Sequence, residues 1–575
     1  MSEVRSTTVI SQLEVKVSKC PQQEALVFYD VDLHRCSLTY LELYTLSARF
    51  SKLLRDAGLQ RGEYVLSTLD VCPEAAVATM GVLMAGGVNV AVEVFMASGD
   101  TFYDVVQRTK ARYIIASTSD QDLNWKLIES NFSSSGDDLI AHVKKNATNL
   151  NFLEKAFIVR RSDNTSSNPG FLQHLKSRSQ AYVDPDVGPG DLCMVFCTAS
   201  AHSLVCMVGH THGGIIQGAE SFRDNLNGAR NFLYPSPNSW VSSTPGDFLV
   251  WGTTRVSLDR WRPSTARTQH ELLADVIQRE TIEMAWLVPA DAQAVLAHWL
   301  PRPLPMVPHL ITGAMPISRA AILPLMPACS LLTIRYLASE TQGVSFNSLR
   351  HEGDFPDFDT GVLEPGVEIQ VIDEDGTVLG SGQQGRLALR TPGMFRQYVG
   401  QPEQDTEDRF TPDGWFLSSD AGYLREDGHL FVSGRNDDMI LHNIFNIHPS
   451  WIEKDIRTHQ DVEKVVVVPI PDKVNYHNIC ACVVRKPGSD VTKEEIQSHF
   501  RSQYVADEQD TFCPTEVLFL ESFPEASPGR VDRRGLARLA QETLGTARLA
   551  EYAVGVVKLL VNGRFDSSVK DDQDM

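Results

Sequence analysis

The chain has 575 residues and a mass of 63.8 kDa, which at about 150 residues per domain allows up to four domains. Hydrophobic residues make up 42% and charged residues 22%, a globular balance that excludes a wholly disordered, collagenous or disulfide-knot protein. With 52 Lys and Arg against 73 Asp and Glu, the net charge is −21 and the pI about 5.2; such a surface repels phosphate backbones, so neither nucleic acid nor an anionic membrane is expected as a partner.

The first thirty residues lack a continuous apolar core and carry Glu3, Glu14, Glu24 and Asp30 against a single arginine, Arg5. Neither a secretory signal nor a mitochondrial transit peptide is read there. The final Asp-Asp-Gln-Asp-Met is no peroxisomal or lipidation address. Ten cysteines without a C-x-x-C pair do not form a secreted disulfide framework and point to a reducing compartment. A cytoplasmic protein is expected, with a mitochondrial one less favoured.

Thr39 and Glu42 form a capping-box pattern ahead of an apolar stripe at Leu43, Leu46, Phe50, Leu53, Leu54 and Ala57, and Gly58 stands where a helix would end. Tyr64 to Leu66 and Val88 to Val92 read as short buried strands flanking another helix. The apolar run Ala75 to Val92 is interrupted by Thr79, Gly86-Gly87 and Asn89, so it reads as a buried helix turning into a core strand rather than a membrane span. This alternation predicts an α/β fold with parallel pairing. Between Ser119 and Gly170 the sequence turns polar, and residues 133–136 and 164–170 are expected to be surface loops. Val367 to Ile372, Arg386 to Arg390 and His429 to Val432 alternate, with turns at 373–376 and 426–428, and predict a small antiparallel, barrel-like subdomain. A restart after Arg435 brings a helix around Ile452 to His459, strands Val465 to Pro469 and Ile479 to Val484, and a helix from Thr492. The expected organisation is a large domain over 1–436, a small α+β domain over 437–545, and an extension over 546–575 whose acidic end is expected to be disordered.

Several literal motif matches carry no function. Gly380-Ser-Gly382-Gln-Gln-Gly385 matches a dinucleotide fingerprint, but a strand follows it where a helix is required, so it is a turn. His210-Thr-His212 near Cys206 fits no strong zinc template. Cys480 and Cys482 fall on one strand face as core thiols. No Gly-x-Ser-x-Gly elbow, lysine-containing phosphate loop or His-Glu-x-x-His helix is present, which removes the ordinary hydrolase and phosphotransferase readings.

A set of weak strings remains, and their order is informative. Cys197 to Ser203 leads through Val208 to His212 into a helix. Then come Thr312-Gly-Ala-Met-Pro316, Tyr336-Leu-Ala-Ser-Glu-Thr341, Gly414-Trp-Phe-Leu-Ser-Ser-Asp420, Gly434-Arg-Asn-Asp-Asp-Met-Ile440 and Pro524 to Arg534. In this order the sequence resembles the adenylate-forming superfamily of acyl-CoA synthetases, peptide-synthetase adenylation domains and luciferases, over nearly the whole chain. It looks most like the medium-chain acyl-CoA synthetase branch.

The resemblance implies activation of a small-molecule carboxylic acid, of the fatty-acid kind, by ATP to an acyl-adenylate. Rotation of the small domain and transfer to coenzyme A would follow. Attack of a carboxylate on the α-phosphate joins two anions, so alignment and charge neutralisation carry the catalysis. By resemblance Thr198, Ser200 and Ser203 wrap the phosphates, Gly313 and Ala314 line the adenine, and Tyr336 stacks on it. Ser339 faces the α-phosphate and Glu340 holds Mg2+ through a hard oxygen ligand. Asp420 accepts from the ribose hydroxyls, Arg435 adds a cation near them, and Asp437 is the hinge. Arg530 holds the place of the lysine that serves the adenylation step, and Asn443-Ile444 that of a Gly-Gly lining the coenzyme A tunnel. Trp240 stands where an aromatic gate to the acyl pocket is common, although a core tryptophan reads equally well.

Three departures leave a second reading open. In the phosphate loop the glycines become Ser200 and Ser203, and the lysine becomes Cys206, which restricts the backbone and removes a mobile cation. Arg530 keeps a charge but is a planar fork rather than a point cation. Side chains at Asn443-Ile444 narrow the expected coenzyme A path. The chain is therefore read as an ATP-dependent carboxylate–CoA ligase or as a catalytically impaired homologue that binds nucleotide or acyl-CoA in a regulatory or scaffolding role.

Overall fold

A computed structural model of the chain describes residues 7–92, 99–118, 122–134, 139–144, 150, 152–161, 170–198, 205–226, 228–261, 266–350, 355–435, 439–442, 445–447, 449–503, 512–527, 530–533 and 535–544. It divides into two compact units. One runs to Met439 and includes Lys473–Tyr476; the other is built from Ile440–Asp472 and from His477 onward.

Helix formation in the larger unit follows local chemistry. Thr39 caps the Tyr40–Asp56 helix through a full capping box with Glu42, and Gly58, at φ +100°, ends it as the left-handed residue a helix terminus favours. Pro73 opens the Pro73–Met84 helix, which runs into the buried Val88–Ala91 strand. Both helices share a core cluster with strand residues such as Leu26, Phe28, Val65, Tyr113 and Phe196. Among the described residues no helix is long and apolar enough to cross a membrane.

A nine-stranded sheet has the parallel strands Leu192–Thr198, Val88–Ala91, Tyr64–Ser67, Tyr113–Ser117 and Lys155–Val159 side by side. Antiparallel strands flank them, Cys206–Thr211 and Gln397–Tyr398 at one edge and Ile140–Val143 and Phe132–Ser134 at the other. Ser133 and Ser134 thus lie in an edge strand, not in the expected loop. Alternation explains it: Phe132 is buried while Ser133 faces solvent, so a polar text still satisfies a half-buried strand. Residues 135, 136 and 164–169 lie outside the described residues.

A thirteen-stranded sheet carries the parallel strands Glu24–Tyr29, Thr254–Leu258, Asn231–Leu233, Met284–Trp286, Val307–Gly313 and Cys329–Ala338. It continues through Gln342–Leu349 and Asp359–Leu363 into the antiparallel strands Leu430–Arg435, Phe416–Leu424, Gly385–Arg390 and Glu368–Ile372. The antiparallel group expected from the sequence is therefore joined by hydrogen bonds to the large sheet. Gly380 to Gly385 is the turn leading into one of its strands.

In the smaller unit, Val462–Asp472, Tyr476–Arg485 and Glu516–Phe519 build a mixed sheet with Ile440–His442 and Phe445–Ile447. The helix expected around Ile452 to His459 spans Pro449–Ile456, and Thr458 and His459 continue as a hydrogen-bonded turn. Thr492 caps the Lys493–Arg501 helix as expected. Cys480 and Cys482 are buried on one face with Leu536 and Ala540, while Ile479, Ala481 and Val483 pack the other.

A buried ion pair joins the two halves of the large sheet. Arg335, on the last parallel strand, reaches Glu364 with Nε–Oε1 2.6 Å and Nη2–Oε2 3.1 Å, and the Glu364 side chain is 0% exposed. Ser221 Oγ donates to the same carboxylate at 2.5 Å. Removing one member leaves the other charged and desolvated, so Glu364→Ala should destabilise the larger unit by about 3–5 kcal/mol. Chemical denaturation of the full chain measures this, and a loss below about 1 kcal/mol would show that the pair is not held dry.

Candidate nucleotide-binding site

Gly313, Ala314, Tyr336, Asp420 and Arg435 gather where the parallel strands of the large sheet end, the position where open α/β sheets take ligands. Gly313 closes the Val307–Gly313 strand against Arg335, and a Cβ there would stand 2.2 Å from the Arg335 carbonyl oxygen. Only glycine permits so close an approach. Ala314 follows in the left-handed region at φ +66°.

Tyr336 sits on the neighbouring strand, and its hydroxyl donates to Asp420 Oδ2 at 2.5 Å. Asp420 and Arg435 oppose each other in the antiparallel pair Phe416–Leu424 and Leu430–Arg435. Burial, and then the Asp420 charge, push the Tyr336 phenol well above its usual range, so it stays a neutral donor, with Arg435 opposing the shift. Asp420 N–H donates to Ser418 Oγ at 3.1 Å, which fixes the strand where the carboxylate emerges. The sequence thus placed three residues of one cluster on three separate strings.

Glu340 lies on the turn after the Cys329–Ala338 strand. Its carbonyl accepts from Phe395 N–H at 2.7 Å, and its Oε1 accepts from the Tyr398 hydroxyl at 3.0 Å. A single half-buried carboxylate suits Mg2+ held mainly by a ligand's phosphates, since that ion is seldom enclosed by an all-protein cage. Among the described residues, the one cluster of three or more metal-ligating side chains is the exposed Asp30–Asp32–His34 turn. There Asp30 Oδ1 caps the backbone N–H groups of Asp32 and His34.

His210 and His212 are not paired ligands. His210 is fully buried and its Nε2 lies 2.7 Å from the Ser339 carbonyl oxygen, which can only accept, so Nε2 carries the proton. Burial brings its pKa down to about 4. Gln342 Nε2 donates to the carbonyls of Gly214 and Gly393, each at 2.9 Å, and a Cβ on Gly218 would collide with this amide at 2.1 Å. The Ser339–Glu340 turn is therefore held from the side of the phosphate-loop strands by buried neutral groups.

Thr198 and Cys206 face each other across the mouth of the loop, Thr198 half-buried and Cys206 buried. Burial, and then Glu340, raise the Cys206 thiol well above its usual range, so it brings no charge. Ser200, Ser203, Asp437, Asn443 and Ile444 lie outside the described residues. Arg530 belongs to the smaller unit, on a short strand paired with Ser527. Trp240 is half-buried ahead of a 3₁₀ turn, its backbone N–H donating to the Pro237 carbonyl at 3.2 Å. The aromatic cluster of this region is built from other residues, Phe222, Phe232, Tyr234, Trp251, Trp286 and Phe346. Sequence reasoning also passed over Tyr398, Gln342 and the positioning role of His210, because their signal is spatial; each lies far in sequence from the group it contacts.

Against models of known families, residues 13–399 match the AMP-binding enzyme and residues 452–530 the AMP-binding enzyme C-terminal domain. The chain belongs to the AMP-binding enzyme family. It is an adenylate-forming superfamily member by the same evidence. A 263-residue stretch is 30% identical to 4-coumarate--CoA ligase-like 4 of Oryza sativa subsp. japonica, spanning 45% of this chain and 46% of that protein, so the match takes in about half of this relative's length. Acyl-coenzyme A synthetase ACSM3, mitochondrial, of Rattus norvegicus is 23% identical over 87% of this chain and 84% of its own. In structure the chain is similar to the amide bond synthetase McbA from Marinactinospora thermotolerans, at TM-score 0.70 and 17% identity, covering 93% of this chain and 99% of that one. ATP-bound MatB from Rhodopseudomonas palustris follows at TM-score 0.61 and 19% identity, with the same coverage. These likenesses carry the fold of the adenylate-forming enzymes.

The buried His210 makes stability fall in acid. Its folded pKa, about 4 against an ordinary 6.5, means the neutral form fits the fold. The contribution is intact above pH 6.5 and is lost as pH falls toward 4, reaching about 3 kcal/mol. His210→Gln keeps an N–H donor without the titration. Its stability relative to the native chain should improve by up to that amount between neutral pH and pH 4 in denaturant melts. Parallel profiles would show that His210 does not titrate in this setting.

Proposed function

We propose that the chain is an ATP-dependent carboxylic acid–CoA ligase that works through an acyl-adenylate. The observation that carries this reading is the convergence of Tyr336, Asp420 and Arg435 beside Gly313 and Ala314 at the end of the large sheet. On this reading Gly313 and Ala314 form the backbone wall of an adenine site and the Tyr336 ring covers it. Asp420 accepts from the ribose hydroxyls, with Arg435 alongside. Ser339 and Glu340 face the α-phosphate and the Mg2+ that neutralises it, and Thr198, Ser200 and Ser203 wrap the remaining phosphates. Bound Mg2+ would supply charge neutralisation for attack by the acid's carboxylate. Arg530, brought by a domain 437–545 that turns about Asp437, would bridge that carboxylate and the α-phosphate, and coenzyme A would enter past Asn443 and Ile444. A fatty acid, entering past Trp240, is the substrate proposed, and the cytoplasm the compartment.

Cys206 favours a second reading. A buried, uncharged thiol stands where the family carries a lysine, and Arg530 replaces the other one. An impaired homologue that keeps nucleotide or acyl-CoA binding for a regulatory or scaffolding role fits both changes. Pyrophosphate exchange with a panel of carboxylic acids separates the two: exchange in the native chain supports the ligase, whereas no exchange in the native chain with rescue by Arg530→Lys supports the impaired homologue. Asp420→Ala should weaken ATP binding by about a hundredfold, the loss of two charge-assisted hydrogen bonds, with the fold intact by circular dichroism. Unchanged ATP affinity in calorimetry would remove Asp420 from the ribose.

A further inference from the structure

The cation that the phosphate loop gave up has a replacement elsewhere in the fold. Position 206 holds a thiol within a cluster formed with Val208, Phe395, Tyr398 and Phe416, and it contributes no positive charge. Two arginines act electrostatically on this thiol, Arg108 and Arg409. Arg108 is fully committed: it pairs with Asp104 at 2.8 Å and donates to the carbonyls of Val205, Val399 and Gly400 at 2.7, 3.3 and 3.4 Å.

Arg409 is not. Its Nη2 donates to Ser419 Oγ at 3.2 Å and its guanidinium lies 5.7 Å from the centre of the Phe416 ring. Its Nε is buried without a hydrogen-bond partner, and among the described residues no carboxylate pairs with it. Its backbone is fixed, since Leu417 N–H donates to the Arg409 carbonyl at 2.7 Å. Glu340 is an acid of this neighbourhood. Its charge acts on the same thiol, and it accepts from Tyr398, whose hydroxyl also feels Arg409. Glu340 and Arg409 nevertheless form no ion pair. A half-buried guanidinium with an unpartnered Nε and no counter-ion among the described residues is left to meet a bound anion.

We propose that Arg409 binds the β- and γ-phosphates of ATP in this chain, taking over the place in charge of the lysine that Cys206 replaces. The inference rests on the nucleotide reading above. Arginine suits the task, because its planar fork meets two phosphate oxygens at once and its charge does not depend on pH. Glu340 then faces the metal while Arg409 faces the anion.

Calorimetry on the full chain with Mg2+ and, separately, ATP, AMP and inorganic pyrophosphate tests the assignment. Arg409→Gln should weaken ATP and pyrophosphate at least about tenfold, the cost of a lost charged hydrogen bond, and leave AMP within about twofold, since AMP carries neither phosphate. Arg409→Lys should retain most of the affinity, and adding Cys206→Lys to Arg409→Gln should restore it. Unchanged ATP affinity in Arg409→Gln, or equal weakening of ATP and AMP in a chain with native circular dichroism, would overturn the proposal. Asp420→Ala run in parallel separates the two levels. If it abolishes AMP binding while Arg409→Gln leaves ATP untouched, only Arg409 is misassigned; if the native chain binds neither ATP nor AMP, the nucleotide reading falls and this proposal with it.

Discussion

The site hangs on the buried pair between Arg335 and Glu364. Arg335 precedes Tyr336 on the last parallel strand, and Glu364 follows Asp359–Leu363, the second strand of the antiparallel half of the sheet. The guanidinium also covers the Phe222 ring at 4.2 Å, and Ser221 binds the same carboxylate from the end of the His212–Glu220 helix. Gly343 completes the arrangement, for a Cβ there would stand 2.3 Å from both charged groups. Three elements from three stretches of sequence are thereby fixed to one point. Tyr336 can meet Asp420 only because the two half-sheets are held in that register.

Around this frame, rigidity comes from neutral groups and chemistry from charged ones. His210, Gln342 and Tyr398 hold the Ser339–Glu340 turn without adding charge at neutral pH. Asp420, Arg435, Glu340 and Arg409 are left half-buried, where water screens them less than at the surface.

Much of this was legible beforehand because it is local. The Thr39–Glu42 cap, the Gly58 stop, the Ala75–Val92 helix-to-strand run and the Thr492 cap are decided by residues within a few positions of one another. Tyr336, Asp420 and Arg435 were singled out because each stands in an ordered string. What escaped was decided by partners distant in the chain. Ser133 and Ser134 read as loop because a strand at a sheet edge needs only one apolar face. The sheet continuity through Asp359–Leu363 depends on pairing that no local pattern specifies. Tyr398 and Arg409 stand apart from the strings that carry the resemblance, so nothing in their own surroundings marked them.

The exchange of amines for other groups at the proposed anion-facing positions has a chemical corollary. Lysine nitrogen is open to acylation, which erases its charge. Here the loop position is a shielded thiol, and the positive groups of the proposed site, Arg409, Arg435 and Arg530, are guanidiniums. On the proposed reading, reactive acyl donors would be made in this cleft, and a phosphate-binding charge resting on guanidinium nitrogen would offer them no amine whose modification silences it.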